Sequence, residues 1–155
     1  MPAPATTTKL LAENRRARFD YIIQETYEAG IELTGQEVKS AKAGKLHLPG
    51  SYVVPQGEEL VLLNADIPPY QEKNAPPGYD PRRTRKLLLK KSEIKKLIGK
   101  LHEKGTVLVP LKVYATRNLV KIRLGLGKSR RQYDKRELLK KKAALREMRR
   151  HRGMQ

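Results

Sequence analysis

Residues 107–126, VLVPLKVYATRNLVKIRLGL, decide the fold class of this chain. Apolar residues occupy every second position on both sides of Arg117-Asn118, and this period is typical of β-strands with one buried face. The alternating positions are Val107, Val109, Leu111, Val113, Val120, Ile122, Leu124 and Leu126. The pattern predicts an antiparallel hairpin that turns at Arg117-Asn118.

Shorter apolar runs on the N-terminal side of this hairpin predict further strands. The predicted strands cover Phe19 to Thr26, Ile31 to Leu33, Ser51 to Val54, Leu60 to Ala65 and Lys86 to Lys90, with a bulge or bend at Gly30. Thr34 and Glu37 have the spacing of a capping box that begins one helix, and Ser92 is the predicted cap of another. Five prolines make 68–81 a loop. Roughly six strands and two helices favour a mainly β fold, a small antiparallel barrel of the oligonucleotide-binding type.

Composition excludes several classes of protein. The chain has 155 residues, which fit one domain with a tail. It has no cysteine, which excludes disulfides, zinc thiolate sites and thiol catalysis. It contains no apolar run near the length of a membrane span, and residues 1–9 lack the pattern of a signal peptide. We therefore expect a cytoplasmic protein without a membrane partner.

The basic charge is concentrated in two tracts. The formal net charge is +18, which favours a polyanionic partner, most simply a nucleic acid. Residues 82–104 hold 10 basic and 2 acidic residues, and residues 128–155 hold 12 basic and 3 acidic residues. By contrast, residues 19–38 carry five acidic residues. This uneven distribution predicts oriented docking, although a solvated charged surface remains the alternative for any one cluster.

These patterns divide the chain into three parts. We predict a flexible N-terminus at 1–13, a β-barrel domain at 14–127 and a basic C-terminal tail at 128–155. The tail opens with a polar basic hinge, Lys128-Ser129-Arg130-Arg131, and continues in good helix formers with a thin apolar stripe. We expect it to be disordered alone and helical when a polyanion neutralises it. An amphipathic membrane helix is the alternative, which the lack of Trp and Phe disfavours.

No catalytic constellation is recognisable in the sequence. His47, His102 and His151 are scattered, and no HExxH, GxSxG or GxxxxGK[ST] motif occurs. We therefore predict no enzyme, no metal and no cofactor. A metal-dependent nuclease is retained as an alternative without a motif to support it.

Three separated motifs resemble the signature of the small protein B family, the bacterial partner of transfer-messenger RNA in ribosome rescue. The first comprises 27–33, YEAGIEL, with 35–40, GQEVKS, and 43–45, AGK. The second is 80–89, DPRRTRKLLL, and the third comprises 125–128, GLGK, with 134–136, DKR. The resemblance covers about residues 14–137. It implies an oligonucleotide-binding-type barrel, monomeric in solution, that grips the tRNA-like end of transfer-messenger RNA. It also implies a tail that probes the empty mRNA channel and the decoding centre of a stalled ribosome.

The resemblance also implies particular RNA-binding residues in the body. Glu28 and Leu88 match family residues linked to RNA binding, and Lys39 lies in the first motif. Lys90 stands where other members carry asparagine, and a lysine there suits a phosphate. From the residues alone, four basic side chains suit phosphates, namely Arg82, Arg83, Arg85 and Lys86. For Glu28 the alternative is a salt bridge, and for Leu88 it is core packing.

In the tail, the resemblance implies contacts to ribosomal RNA. Tyr133 stands where some members carry histidine, and either ring can stack on a base. The other expected ribosome-binding residues are Lys128, Arg130, Arg131, Asp134, Lys135 and Arg136. A structural ribosomal protein with a basic extension is the main functional alternative.

Overall fold

The long hairpin predicted at 107–126 is present as two antiparallel strands of 11 residues each. The computed structural model describes residues 8–117 and 119–153, with the backbone alone at 132, 133, 135 and 151–153. In chain order, the elements of these residues are β1 Thr8–Glu13, α1 Arg15–Asp20, β2 Tyr21–Ile31, α2 Gly35–Lys42, β3 Tyr52–Gln56, β4 Glu59–Leu63, a 3₁₀ turn Glu72–Asn74, β5 Arg85–Leu88, α3 Lys91–Leu101, β6 Thr106–Thr116, β7 Leu119–Ser129 and α4 Arg130–Gly153.

Six of these strands close into a ring. Neighbouring strands pair in the order β6-β3-β4-β5-β2-β7, and β6 also pairs with β7, which completes the closure. Every one of these pairs is antiparallel. Closure gives each of the six strands a partner on both sides. The predicted mainly antiparallel β-structure with short helices is therefore confirmed.

The core fills the inside of this ring. Leu60 and Leu62 of β4, Leu108 of β6 and Ile122 of β7 are at most 1% exposed. Leu97 of α3 is buried in the same cluster, and Ile94, Ile98 and Leu101 of this helix pack against it. α3 therefore packs onto the barrel through one apolar face.

A bulge in β6 changes which side chains point inward. The register between β6 and β7 shifts between Pro110 and Lys112, so that Leu111 is the extra residue. Leu111 packs with Val109 and α1 outside the barrel, whereas Val113 lies in the main core. An extra residue reverses the inward and outward order of a strand. The strict alternation predicted for this strand therefore holds only as far as the bulge.

The first strand corrects the prediction of a flexible N-terminus at 1–13. Thr8–Glu13 pairs antiparallel with β6 along the edge that β3 leaves free, and Leu11 is buried in the core. This segment joins the sheet because it pairs with the free N–H and C=O groups of that edge and because Leu11 becomes buried. Residues 1–7 lie outside the described residues.

The next segment differs from prediction at Phe19 and Gly30. Phe19 lies in α1, where it is 78% exposed, and not on a strand face. Asn14 begins this helix, because its side chain accepts from the N–H of Ala17 and donates to the C=O of Pro110. β2 then runs through Gly30 without a break, and its bulge lies between Ile23 and Glu25.

Two glycines allow close approach between strands. A Cβ atom on Gly127 would lie 2.2 Å from the carbonyl oxygen of Ile22, beside the bulge in β2. A Cβ atom on Gly30 would lie 3.2 Å from Cβ of Leu88 on β5. Gly127 therefore lies against another backbone, and Gly30 lies against a side chain. Such close contacts explain why glycine occurs inside these strands.

The helix starts were predicted with mixed success. The capping box of α2 is confirmed, since Thr34 accepts from the N–H of Glu37 and Glu37 accepts from the N–H of Thr34. The cap predicted at Ser92 is wrong, because the N-cap of α3 is Lys90, two residues earlier, and it makes no side-chain cap hydrogen bond.

The boundary between body and tail lies two residues later than predicted. Lys128 and Ser129 are the last residues of β7, where they pair with Ile22 and Tyr21, so they are part of the sheet and not a hinge. Backbone pairing outweighs their polar character. The tail is the helix α4, in agreement with its predicted helical form, and its disorder in isolation stays a prediction. In the described part of the chain, no helix is long and apolar enough to cross a membrane.

Candidate nucleic-acid interface

Several polar and basic side chains meet on the outside of β1, β6, β7 and β2. In one row of the sheet, Glu28 pairs with Arg123, and Arg123 pairs with Lys112. In a neighbouring row, Lys121 pairs with both Tyr114 and Gly30, and Gly30 pairs with Leu88 on β5. We call this surface the outer face, and its residues are Leu10, Glu28, Lys86, Leu88, Lys112, Tyr114, Lys121 and Arg123.

A groove of about 570 Å³ lies in the outer face around Glu28. Its lining includes three cations, Lys112, Lys121 and Arg123, and two carboxylates, Glu13 and Glu28. A cationic groove of this kind attracts a phosphate backbone. The carboxylate of Glu28 within it provides an acceptor that phosphates do not need but base amino and imino groups do.

The side chain of Glu28 is held by two residues from two other strands. Its Oε1 accepts from Nζ of Lys121 at 2.8 Å, and its Oε2 accepts from the hydroxyl of Tyr114. The hydrogen bond from Lys121, followed by that from Tyr114, lowers the pKa of Glu28. Burial, followed by the hydrogen bond to Glu28, raises the pKa of Tyr114 to about 12. At neutral pH Glu28 is therefore an ionised acceptor and Tyr114 a donor.

Leu88 is a surface residue and not a core residue. It is 50% exposed, whereas its neighbour Leu87 is 1% exposed, because successive side chains of β5 point to opposite faces. Leu88 lies over Gly30, and both line a shallow pocket on the surface. Leu119 lines the same pocket and is 62% exposed. Two exposed leucines next to Lys121 form an apolar surface suited to the face of a base or a ribose.

Arg85 corrects the prediction of four phosphate-binding side chains in the second motif. Its side chain is 0% exposed and its Nε donates to Oε2 of Glu37 at 2.7 Å. Its two Nη groups donate to the carbonyl oxygens of Ala65 and Pro81. All of its donor groups face the interior, since β5 alternates, so Arg85 supports the loop at 68–81 and is closed to a phosphate.

The other three basic residues of this motif remain accessible to different extents. Arg82 is exposed, and its backbone N–H donates to the side chain of Asp80. Arg83 is 41% exposed in its side chain and donates to Oε1 of Glu37 at 2.6 Å, which ties it to the body. Lys86 is exposed and pairs with Glu59 at 2.9 Å, a surface ion pair that a phosphate can replace.

The last two residues expected in the body lie apart from the groove. Lys39 is exposed on α2, and Lys90 is exposed at the start of α3. The outer face and these two lysines therefore do not form one compact site.

Two tyrosines of the proline-rich loop at 68–81, Tyr70 and Tyr79, differ in how accessible their rings are to a base. The hydroxyl of Tyr79 donates to the carbonyl oxygen of Ile67 at 2.7 Å, so Tyr79 is a packing residue. Tyr70 is 39% exposed, and Nζ of Lys45 lies 5.5 Å from its ring centre while donating to its carbonyl oxygen. Of the two, Tyr70 keeps a face that a base can reach.

Two expected ribosome-binding residues of the tail contact the body. Nη2 of Arg130 donates to the carbonyl oxygen of Arg18 at 2.9 Å, and Nη2 of Arg136 donates to that of Lys104 at 3.0 Å. The other tail residues fall into three groups: Lys128 is half-buried in β7, Arg131 and Asp134 are exposed on α4, and the side chains of Tyr133 and Lys135 lie outside the described residues.

Sequence reasoning missed the residues that surround Glu28. Lys112, Tyr114, Lys121 and Arg123 occupy the polar positions of the long hairpin. Their alternation with core residues was visible and predicts that they share the outer side of β6 and β7. Their nearness to Glu28 depends on the pairing of β2 with β7, which no local pattern shows.

The described residues contain no group of three or more His, Cys, Asp or Glu side chains that could hold a metal ion. The geometry of the outer face is that of a binding surface: one fixed acceptor, several cations and an exposed apolar patch. Groups of these kinds can attract phosphates and contact bases.

Known proteins resemble this chain over nearly its full length. A sequence profile described as SmpB protein matches residues 11–154. An SsrA-binding protein of Gloeothece citriformis (strain PCC 7424) is 50% identical over 143 residues, 92% of each chain. Another, of Anoxybacillus flavithermus (strain DSM 21510 / WK1), is 49% identical over 147 residues, 95% of each chain. A solved structure described as "tmRNA-SmpB: a journey to the center of the bacterial ribosome" is 51% identical, with a TM-score of 0.64 over 76% of this chain and 82% of that one. With nearly the whole length matched at half identity, the chain belongs to the SmpB protein family.

Proposed function

We propose that this protein binds the tRNA-like domain of transfer-messenger RNA and delivers it to stalled ribosomes for trans-translation. The relatives named SsrA-binding protein and the matching structure of tmRNA with SmpB support this function. The observation that carries it is the outer face, where Glu28 is fixed between Lys121 and Tyr114 inside a cationic groove. The ring of six strands serves as an oligonucleotide-binding-type barrel that presents this face.

The basic helix α4 performs the second part of this function. Its exposed residues Arg131 and Asp134, together with Arg136, enter the vacant mRNA channel and contact the decoding centre. Most of its exposed side chains are charged and basic ones predominate, although Leu138, Leu139, Leu145 and Met148 are also more than half exposed. This excess of positive charge makes ribosomal RNA a more suitable partner for α4 than an apolar protein surface. The protein acts as a monomeric adaptor without catalysis of its own, in the cytoplasm where ribosomes are found.

A structural ribosomal protein with a basic extension is the competing function. Such a protein would remain on ribosomes through a high-salt wash and match their stoichiometry. An adaptor would be substoichiometric and would be recruited when ribosomes stall. The fixed carboxylate in the groove favours the adaptor, because a protein that only coats ribosomal RNA through phosphate contacts needs no acceptor among its cations.

Sequencing of the RNA that co-purifies with the full chain tests the proposal directly. We expect transfer-messenger RNA to be enriched over ribosomal RNA, and Glu28→Ala to lose that enrichment while keeping its melting temperature. The matched control is Glu25→Ala, which removes a carboxylate from the same strand that pairs with Lys100 away from the groove. Ribosomal RNA as the major species at the stoichiometry of ribosomes would establish the structural alternative instead.

A further inference from the structure

Glu28 has one hydrogen-bond partner on each carboxylate oxygen. Lys121 on β7 binds Oε1, and Tyr114 on β6 binds Oε2. These partners are 93 and 86 residues away from Glu28 in sequence, and each comes from a different strand of the closed ring. A carboxylate oxygen can accept about two hydrogen bonds, so one acceptor position on each oxygen remains available. Both positions belong to one planar, ionised group whose orientation is set by Lys121 and Tyr114.

The chemistry of the bases decides what such a group can read. A carboxylate that offers two parallel acceptor positions matches a ligand with two adjacent N–H donors. Guanine presents such a pair on its Watson–Crick edge, the N1 imino and the N2 amino groups. Adenine, cytosine and uracil each present only one donor there beside an acceptor, which would face the negative charge. A carboxylate with one open acceptor position on each oxygen therefore favours guanine over the other bases.

The surroundings of Glu28 suit an unpaired nucleotide of a folded RNA. Arg123 and Lys112 continue the row of the sheet that contains Glu28, and they supply cations for the phosphates on either side of the base. Leu10 lies beside Tyr114 and is 52% exposed, which offers an apolar surface to the face of the base. Structured RNA is read at loops, where a base can leave its stack and expose its Watson–Crick edge.

A second carboxylate on the same strand provides an internal comparison. Glu25 is also held by a tyrosine and a lysine, with Tyr27 at 2.5 Å and Lys100 at 2.6 Å from both carboxylate oxygens. Its exposure is similar, 40% against 45% for Glu28. Glu25 does not line the cationic groove, and Lys100 occupies both of its oxygens. The residue types are therefore the same, but of the two carboxylates it is Glu28 that has an open acceptor position on both oxygens and that lies in the cationic groove.

We infer that Glu28 is a specificity-determining residue that accepts from N1–H and N2–H of an unpaired guanine, with Tyr114 and Lys121 as positioning residues. This inference rests on the proposed binding of the tRNA-like domain of transfer-messenger RNA. It assigns to that interface a base identity and two residues, Tyr114 and Lys121, that hold the reading group in place.

Replacement of guanosine by inosine tests the base assignment, because inosine lacks only the N2 amino group. The tRNA-like RNA is transcribed with a low fraction of inosine phosphorothioate in place of guanosine. Bound and free RNA are separated, and cleavage at the phosphorothioates shows which inosine positions are depleted from the bound fraction. We expect one loop guanosine where inosine weakens binding to the wild-type chain by about tenfold, the loss of one hydrogen bond to a charged group. With Glu28→Gln, which has only one acceptor oxygen, inosine at that position should have no further effect. Glu25→Gln should leave the interference pattern unchanged.

The pH profile of RNA binding tests the positioning residues. Five titratable or charged groups face Glu28, namely Lys121 and Arg123 from β7, Tyr114 and Lys112 from β6, and Glu13 from β1. Without the hydrogen bond from Lys121 or Tyr114, Glu28 takes up a proton at higher pH. Lys121→Met and Tyr114→Phe should therefore lose RNA binding at a higher pH than the wild type as the solution is acidified. Lys121→Arg should restore the wild-type midpoint, and Tyr27→Phe should not move it.

The possible results separate this inference from the function on which it rests. A wild-type chain that does not bind the tRNA-like RNA overturns the proposed function. Binding with the same inosine interference in wild type and Glu28→Gln overturns the guanine assignment and leaves the function intact. Unchanged acid midpoints in Lys121→Met and Tyr114→Phe overturn the positioning roles. Circular dichroism melts of each variant show that a loss of binding does not come from a loss of fold.

Discussion

Glu37 and Arg85 form an ion pair that is almost completely removed from water, with 2.5 Å between Oε2 of Glu37 and Nη2 of Arg85. Their side chains are 1% and 0% exposed. Glu37 also receives Arg83 and closes the capping box of α2 with Thr34, so one carboxylate joins a helix start to the second basic motif. This network holds the segment before β5 against the body and thereby places Leu88 on the outer face.

Arg85→Met should unfold the protein more readily without acting through RNA contacts. The substitution removes the fully buried one of the two guanidinium groups that pair with Glu37, which costs about 3–5 kcal/mol. Urea unfolding measures this free energy. Arg82→Met is the matched control, because Arg82 is exposed, and its free energy of unfolding should stay within about 0.5 kcal/mol of the wild type. Equal stability of the two variants would contradict the structural role of Arg85.

The stability of the protein should fall in acid partly through Glu37. Burial opposes its ionisation, but the hydrogen bond from Arg83, that from the N–H of Thr34 and the charge of Arg85 outweigh it, and the pKa lies below its ordinary value of 4.5. A lowered pKa in the folded state gives stability that is present above pH 4.5 and lost as the pH falls through the folded value. Thermal melts across pH 3–6 should therefore show a shallower acid loss for Glu37→Gln than for the wild type. Parallel curves would exclude this contribution.

Leu88→Ala and Leu87→Ala should have opposite consequences although the residues are adjacent. Leu87 is in the core, so its truncation should cost about 2–5 kcal/mol of stability. Leu88 is half exposed, so its truncation should cost less than about 1 kcal/mol of stability. Binding of the tRNA-like RNA by Leu88→Ala should weaken roughly fivefold through the lost apolar contact. A large drop in melting temperature for Leu88→Ala, measured by calorimetry, would place it in the core after all.

Gly127→Ala should destabilise the barrel. The added Cβ would lie 2.2 Å from the carbonyl oxygen of Ile22, a backbone atom that cannot move without disturbing the pairing of β2 with β7. We expect a loss of about 1–3 kcal/mol or more, read from denaturant unfolding. Gly99→Ala is the control: this helical glycine has nothing within 4 Å of an added Cβ, and alanine should stabilise α3 by about 0.5–1 kcal/mol. A neutral Gly127→Ala would show that the two strands can separate at no cost.

A chain that stops at Ser129 should separate the two parts of the proposed function. It keeps the seven strands that the structure describes and the outer face, so it should bind the tRNA-like RNA within about tenfold, or roughly 1.4 kcal/mol, of the full chain. It lacks α4, so peptide transfer to the tRNA-like end in a reconstituted stalled-ribosome assay should be abolished. Transfer that persists would show that the tail adds only general affinity. Circular dichroism of the full chain with and without a polyanion tests whether α4 needs a partner to become helical.

The sequence by itself determined the elements whose signals are local. Alternation over 107–126 predicted the long hairpin, and Thr34 with Glu37 predicted the start of α2, because the interacting residues lie a few positions apart. The composition of the tail, rich in good helix formers, predicted a basic segment that becomes helical when a polyanion neutralises it, and the tail is the helix α4 in the structure. The three family motifs pointed to Glu28 and Leu88, which both lie on the outer face.

Only the tertiary structure decided which charged residues face outward and which residues meet. Arg82 and Arg85 have the same charge in one motif, yet one is exposed and the other is buried on Glu37, 48 residues earlier in the chain. The bulge at Leu111 reversed the inward order of β6, and the free edge of β6 drew Thr8–Glu13 into the sheet. The setting of Glu28 likewise depends on strand pairing across about ninety residues, and closure of the barrel makes that choice. A sequence pattern records the period of each strand but not which strand lies beside it.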